Sequence, residues 1–88
     1  MLAKFRKKPV VVEAVQFDGT FESVWPLLKM YGSRGVRWDT DDGGVLTVST
    51  LEGDLKVNPG EWIIRGVKGE LYPCKPDIFA QTYELAEG

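Results

Sequence analysis

The sequence predicts an α+β fold: one helix with a small, mostly antiparallel rolled sheet or open barrel of about six short strands. Three observations carry this expectation. Only the stretch from Phe21 to Tyr31 repeats apolar residues at helical spacing, with Val24, Leu27, Leu28 and Tyr31 on one face. From Ser33 onward, turn-forming residues interrupt the chain every few positions and leave room mainly for strands. At 88 residues, 43% hydrophobic and 27% charged, the chain has globular composition and the size of one domain, residues 1–88, led by a basic arm over 1–8.

The elements follow in order. Val10 to Phe17, preceded by Pro9, is rich in β-branched residues and reads as a first strand covered on both faces. Asp18-Gly-Thr20 turns the chain, and the Thr20 hydroxyl is placed to cap a helix that ends at Gly32. Pro26 is its weak point, because a helix starting at Phe21 loses an interior hydrogen bond there, and a start near Ser23 avoids the loss. Val36-Arg-Trp38 is a short strand, followed by the turn formers Asp39 to Gly44. Val45 to Thr50 alternates with Leu46 and Val48 inward, and Glu52-Gly53-Asp54 turns it into Leu55-Lys-Val57. Asn58-Pro59-Gly60 has the residue order of a type II turn and leads into Glu61 to Arg65. Gly66 to Gly69 bends the chain into Glu70-Leu-Tyr72. Lys75 to Phe79 reads as a single helical turn with Pro76 at its first position, and Thr82 to Leu85 as a last strand.

Composition removes several chemistries. With no histidine, the chain lacks the usual general base near neutral pH and any Ser-His-Asp or Cys-His arrangement. Its single cysteine, Cys74, makes no internal disulfide and no thiolate zinc cluster, which suits a reducing cytoplasm; no metal or other cofactor is expected. Eleven basic against thirteen acidic residues leave a net charge of −2, too balanced for a dedicated duplex-binding protein and too mild for a DNA mimic, so a nucleic-acid partner is not expected. The apolar run after the basic arm Lys4, Arg6, Lys7, Lys8 is cut by Glu13, too short for a signal sequence or a membrane span. A domain of this size buries only about 60 to 65% of its unfolded surface, so a homo-oligomer is expected, with the first strand or the Trp62 strand at the interface.

The unusual residues concentrate between Pro59 and Phe79. The glycines flanking Val67 and Lys68 leave backbone amides open, and Arg65, Lys68 and Lys75 with the Tyr72 hydroxyl are candidates to converge on an anionic group such as phosphate. The plain reading of the segment is a β-hairpin with solvated charges, since no Gly-Lys-Ser/Thr opens a helix. Trp62 is a candidate to stack on a base or to fill the core, as are Trp25 and Trp38. Glu13, the one acid inside an apolar strand, is either an acceptor in a pocket or a mark of a solvent-facing edge. Cys74 has only Lys75 as an adjacent cation and reads as an inert thiol.

The run Pro59-Gly-Glu-Trp-Ile-Ile-Arg-Gly-Val-Lys-Gly-Glu-Leu-Tyr-Pro-Cys-Lys-Pro-Asp-Ile-Phe79, with Thr82-Tyr-Glu84 behind it, resembles a family of small proteins of tailed bacteriophages and prophages. Phe5 to Phe17 and Thr50 to Asp54 share the likeness; Phe21 to Gly44 do not. The resemblance implies expression in the cytoplasm of a bacterial host and brings no catalytic residues. Together these readings lead to the expectation of a non-catalytic, phage-encoded binding protein, of anti-defence type, that sequesters an anionic nucleotide signal through Arg65, Lys68, Tyr72, Lys75, Trp62 and Glu13. The alternatives are a protein interaction module that inhibits a host protein, or a minor structural or assembly component of the phage.

Overall fold

Among the described residues, six strands and two helices follow one another as β1 (Glu13–Gln16), α1 (Phe21–Tyr31), β2 (Val36–Asp39), β3 (Val45–Thr50), β4 (Gly53–Val57), β5 (Trp62–Arg65), β6 (Leu71–Cys74) and α2 (Pro76–Thr82). The structure is a computed structural model that describes residues 2–4, 10–32, 35–39 and 44–85. Arg6, Lys7 and Lys8 of the basic arm and positions 40–43 of the expected loop lie outside the described residues.

The strands form two three-stranded sheets, ordered β1-β5-β6 and β2-β3-β4, with every pairing antiparallel. The α+β class and the strand count stand; the single rolled sheet or barrel and the single helix are corrected to two open sheets and two helices. The physical reason is the pairing of β1. Its neighbour is β5, nearly fifty residues along the chain (Glu13 opposite Arg65, Gln16 opposite Trp62), so the β2-β3-β4 meander closes as a sheet of its own. α1 packs on both β1 and β2, and β3 lies against β6, so helix and strand together tie the two sheets to one core.

Local chemistry explains the elements that were foreseen. Thr20 caps α1 by accepting a hydrogen bond from the Ser23 amide at 3.3 Å, and the Gly32 amide closes the other end on the Leu28 carbonyl. Pro26 sits inside the helix, which starts at Phe21 and not at Ser23. The 58–61 turn is type II in character: the Glu61 amide bonds the Asn58 carbonyl at 3.0 Å, and Gly60 takes the φ of +93° that disfavours any side chain.

Two elements differ from expectation. β1 begins at Glu13 and not at Val10, because its partner β5 ends at Arg65 and the chain then turns away at Gly66, leaving Val10 to Val12 extended without a partner strand. The short turn at Lys75 to Phe79 continues as α2 to Thr82, and Tyr83 to Leu85 form no strand. Phe79 and Tyr83 are four apart, the helical repeat, and packing of these rings overrides the strand preference of Thr82 and Tyr83.

The central core gathers Phe17, Val24, Leu27, Val36, Leu46, Val48, Val57, Ile63 and Leu71, with Trp38 and Tyr31 packed at its margin. Burial of each such side chain contributes about 1.5 to 3 kcal/mol. Ile64 is equally buried, at 1% exposure, but lies outside that cluster. Successive residues of a strand point to opposite faces, so Ile63 faces the core and Ile64 the far side of the β1-β5-β6 sheet. That far side is where α2 lies.

Candidate functional site

Strand parity divides the residues that the sequence groups together. Arg65 shares the Ile63 face of β5, whereas Trp62 shares the Ile64 face, and Tyr72, opposite Ile64 in the register, shares that second face. Arg65 and Trp62 are therefore on opposite sides of one sheet. The Arg65 guanidinium donates to the Glu13 carboxylate at 3.2 Å and to the Met30 sulfur of α1 at 3.2 Å. Glu13 is no pocket acceptor; its side chain is 76% exposed, at the solvent edge where it meets Arg65. Lys68 lies in the β5–β6 turn and Lys75 at the other end of β6, separated by a strand that rises about 3.3 Å per residue. The four side chains Arg65, Lys68, Tyr72 and Lys75 are thus spread over both faces and both ends of the hairpin.

The glycine turn itself is already satisfied. The Gly66 amide donates to the Glu70 carbonyl at 2.8 Å, the Gly69 amide to the Gly66 carbonyl at 3.0 Å, and the Lys68 amide to the Glu70 carboxylate at 3.0 Å. Tyr31 reaches from α1 to donate its hydroxyl to the Gly69 carbonyl at 2.8 Å. The amides expected to be open for a phosphate thus include three that the chain uses itself, one of them on a carboxylate of its own. A Cβ at Gly66 would overlap that Glu70 carboxylate, so a larger residue there would displace it from the Lys68 amide.

Side chains on the Ile64 face build a different site. Trp62 stacks under Phe79 of α2, ring centroids 4.0 Å apart and planes 5° from parallel, and Phe79 stacks in turn on Tyr83 at 5.0 Å. Beside this column lies a cavity of about 330 Å³ lined by Val10, Val12, Ala14, Trp62, Phe79, Tyr83, Glu84 and Leu85. One wall is the chain that enters and forms β1; the other is α2 with the residues after it. Apart from Glu84 the lining residues are apolar or aromatic, and the volume is at the lower end of the range of small-molecule sites, about 300 to 1,000 Å³. None of Arg65, Lys68 and Lys75 lines it.

Two ionisable groups at this face are held neutral. The hydrogen bond that Tyr72 shares with the Tyr83 hydroxyl, reinforced by burial, pushes the Tyr72 phenol up to about 12. Burial raises the Cys74 thiol, and the carboxylates of Asp77 and Glu61 raise it further. Neither is poised to give up a proton near neutral pH, and the Cys74 sulfur is not the activated thiolate that nucleophilic chemistry requires.

A second cavity, also about 330 Å³, lies between the β3–β4 turn and β6, lined by Thr50, Leu51, Glu52, Leu55, Glu70, Leu71, Tyr72 and Pro73. Its walls are a hairpin turn and a strand, and it carries two carboxylates, one already engaged by the Lys68 amide. The aromatic cavity is the better candidate because stacked rings and a helix define its shape. Sequence reasoning found Trp62 and missed Phe79, Tyr83, Val10 and Val12. The four-residue spacing of Phe79 and Tyr83 was the available signal.

Among the described residues, no three potential metal ligands come together and no helix is long and apolar enough to cross a membrane. Fold and cavity define a small α+β domain with an aromatic, mostly apolar recess between a sheet edge and a short C-terminal helix. No family model matches the chain, and neither a curated protein nor a solved structure matches it.

Proposed function

We propose that this protein is a non-catalytic binding module whose aromatic cavity receives a planar, nucleobase-sized group of a small ligand. The observation that carries the reading is the cavity beside the Trp62–Phe79–Tyr83 ring column. Ring faces and apolar walls take up a flat heterocycle, and the Glu84 carboxylate at the lining supplies an acceptor for its N–H groups. The absence of histidine and the raised thiol and phenol at this face support binding without turnover.

A nucleotide signal is the ligand class this reading retains, recognised through its base. Among the described residues no cation lines the cavity, so affinity there rests on stacking and burial. The phage setting is supported by the resemblance of Phe5 to Phe17, Thr50 to Asp54 and Pro59 to Phe79, and the anti-defence role by an analogy of size and context with small phage proteins that sequester nucleotide signals. Thermal-shift measurements with paired nucleosides and nucleotides test the proposal. A ligand that fits raises Tm by mass action, the nucleoside does so about as well as its nucleotide, and added salt changes little. Replacing Tyr83 by Ala abolishes the shift, at a cost of about 1 to 3 kcal/mol of stacking. No shift with any base-containing ligand overturns the reading, and a shift given only by the phosphorylated forms relocates the site to the cations.

A further inference from the structure

We infer that the outer edge of β1 is a self-association surface, on which a second copy of this chain adds its own β1 antiparallel about a two-fold axis at Ala14. The backbone of β1 is the first ground. Phe17 receives the Gly60 amide on its carbonyl and donates its own amide to the Glu61 carbonyl, both toward the β5 side. Hydrogen bonding alternates along a strand, so Val15 and Glu13 also turn inward, while the N–H and C=O groups of Val12, Ala14 and Gln16 face outward. Among the described residues no strand pairs with that outer side.

Comparison of the four sheet edges is the second ground. β6 packs against β3 of the other sheet. The β4 edge carries Asp54 and Lys56 and the β2 edge Arg37 and Asp39, two charged residues on each, with Arg37 and Asp54 paired to each other at 2.8 Å. On β1 the only charge, Glu13, is met by Arg65 of its own sheet, and the strand runs back into three valines. Val10 is 52% exposed, Val11 78%, and Leu85 beside them 91%. An edge with a single charge and an apolar approach is either a hazard or an interface.

Register is the third ground and selects the second copy as occupant. A two-fold perpendicular to the sheet pairs residues of equal parity, and only a few centres are available within Val10 to Gln16. Centring on Glu13 sets two like charges opposite each other, which is unfavourable. Centring on Ala14 makes Ala14 exchange both hydrogen bonds with the partner's Ala14, sets Val12 opposite the partner's Gln16, and sets Glu13 opposite the partner's Val15. Every residue of β1 then has a partner, and the two sheets become one of six strands. A stable interface takes about 800 Å² per copy, roughly a tenth of the 7030 Å² surface of this chain. Val10, Val12 and Ala14 also line the aromatic cavity, so the two cavities adjoin on one face of the joined sheet.

Light scattering over a range from about 1 to 100 µM tests the inference, with the mass expected to rise from 9.9 kDa toward twice that value. Ala14→Pro removes only an outward N–H and is expected to hold the mass at the monomer while circular dichroism stays unchanged. Because proline also restrains the backbone of β1, Ala14→Cys in a Cys74→Ser background provides a second reading. Cα atoms of a hydrogen-bonded pair are about 5.5 Å apart, within disulfide range, so oxidation is expected to yield a covalent dimer. A monomer at every concentration, a dimer that persists in folded Ala14→Pro, or failure of Ala14→Cys to cross-link while the mass is dimeric each overturns it.

Discussion

Tyr72 shows what a single residue adds beyond its position in the sequence. Its place on β6 puts it opposite Ile64, on the α2 face, and its hydroxyl meets that of Tyr83, raising its pKa to about 12 against an ordinary value of 10.0. The folded state therefore holds the phenolic proton more tightly than the unfolded chain. The contribution to stability is fully present below pH 10 and is lost as pH rises from about 10 to 12, through the folded value. Phenolate absorbance during alkaline titration is expected to show one tyrosine ionising late, and Tyr83→Phe to bring it back toward the ordinary value. A titration unchanged by Tyr83→Phe would show that burial alone holds the proton. Nothing in the sequence pairs residues 72 and 83: the contact depends on α2 extending past Phe79. Arg65 shows the same limit from the other side. Its type suits an anion, and the carboxylate it meets in the fold is Glu13, brought opposite it by a long-range strand pairing.

Elements whose signals are local were legible in advance; those defined by pairing or packing were not. α1 was readable from its Thr20 cap, apolar spacing and Gly32 stop, and the 58–61 turn from Pro59 and Gly60. β3 was readable from its alternation. The extent of β1 was not, because it depends on where β5 ends, and the length of α2 was not, because the Trp62–Phe79 stack sustains it. The candidate cavity was half legible for the same reason, with Trp62 in view and its wall of Phe79 and Tyr83 assigned to other structures. Pro26 tests how strongly tertiary packing overrides local preference in α1. Val24 and Leu27 on either side of it are buried, while Pro26 itself is exposed and lacks the amide that would bond the Glu22 carbonyl. Pro26→Ala restores that bond without disturbing the packed face, and is expected to raise stability by about 1 to 3 kcal/mol in urea denaturation. A neutral or destabilising result would mean that the proline ring contributes packing or limits the unfolded chain.

At the scale of the whole molecule, each of the two three-stranded sheets has one hydrophobic face that must be covered. Their stability lies in what they share. Leu46 and Val48 of β3, Val36 of β2 and Val57 of β4 come from one sheet, Ile63 and Leu71 from the other, and all enter a single cluster completed by Phe17 and the α1 residues Val24 and Leu27. Opening either sheet exposes the inner face of its partner, so neither has a way to unfold by itself. The tryptophans provide a probe on each side: Trp38 on β2 packs against Phe17 at 5.8 Å, and Trp62 on β5 stacks on Phe79 at 4.0 Å. Replacing Trp25 and one of these two by Phe leaves a single reporter for each sheet. In guanidinium the two fluorescence transitions are expected to coincide in midpoint and slope, the signature of a two-state domain. Leu46→Ala, which cuts into the shared cluster from the sheet that Trp62 does not report, is expected to destabilise by about 2 to 5 kcal/mol and to move both midpoints by the same amount. A shift of the Trp38 transition alone would separate the sheets into independent units and would confine the Trp62 cavity's stability to β1, β5, β6 and α2.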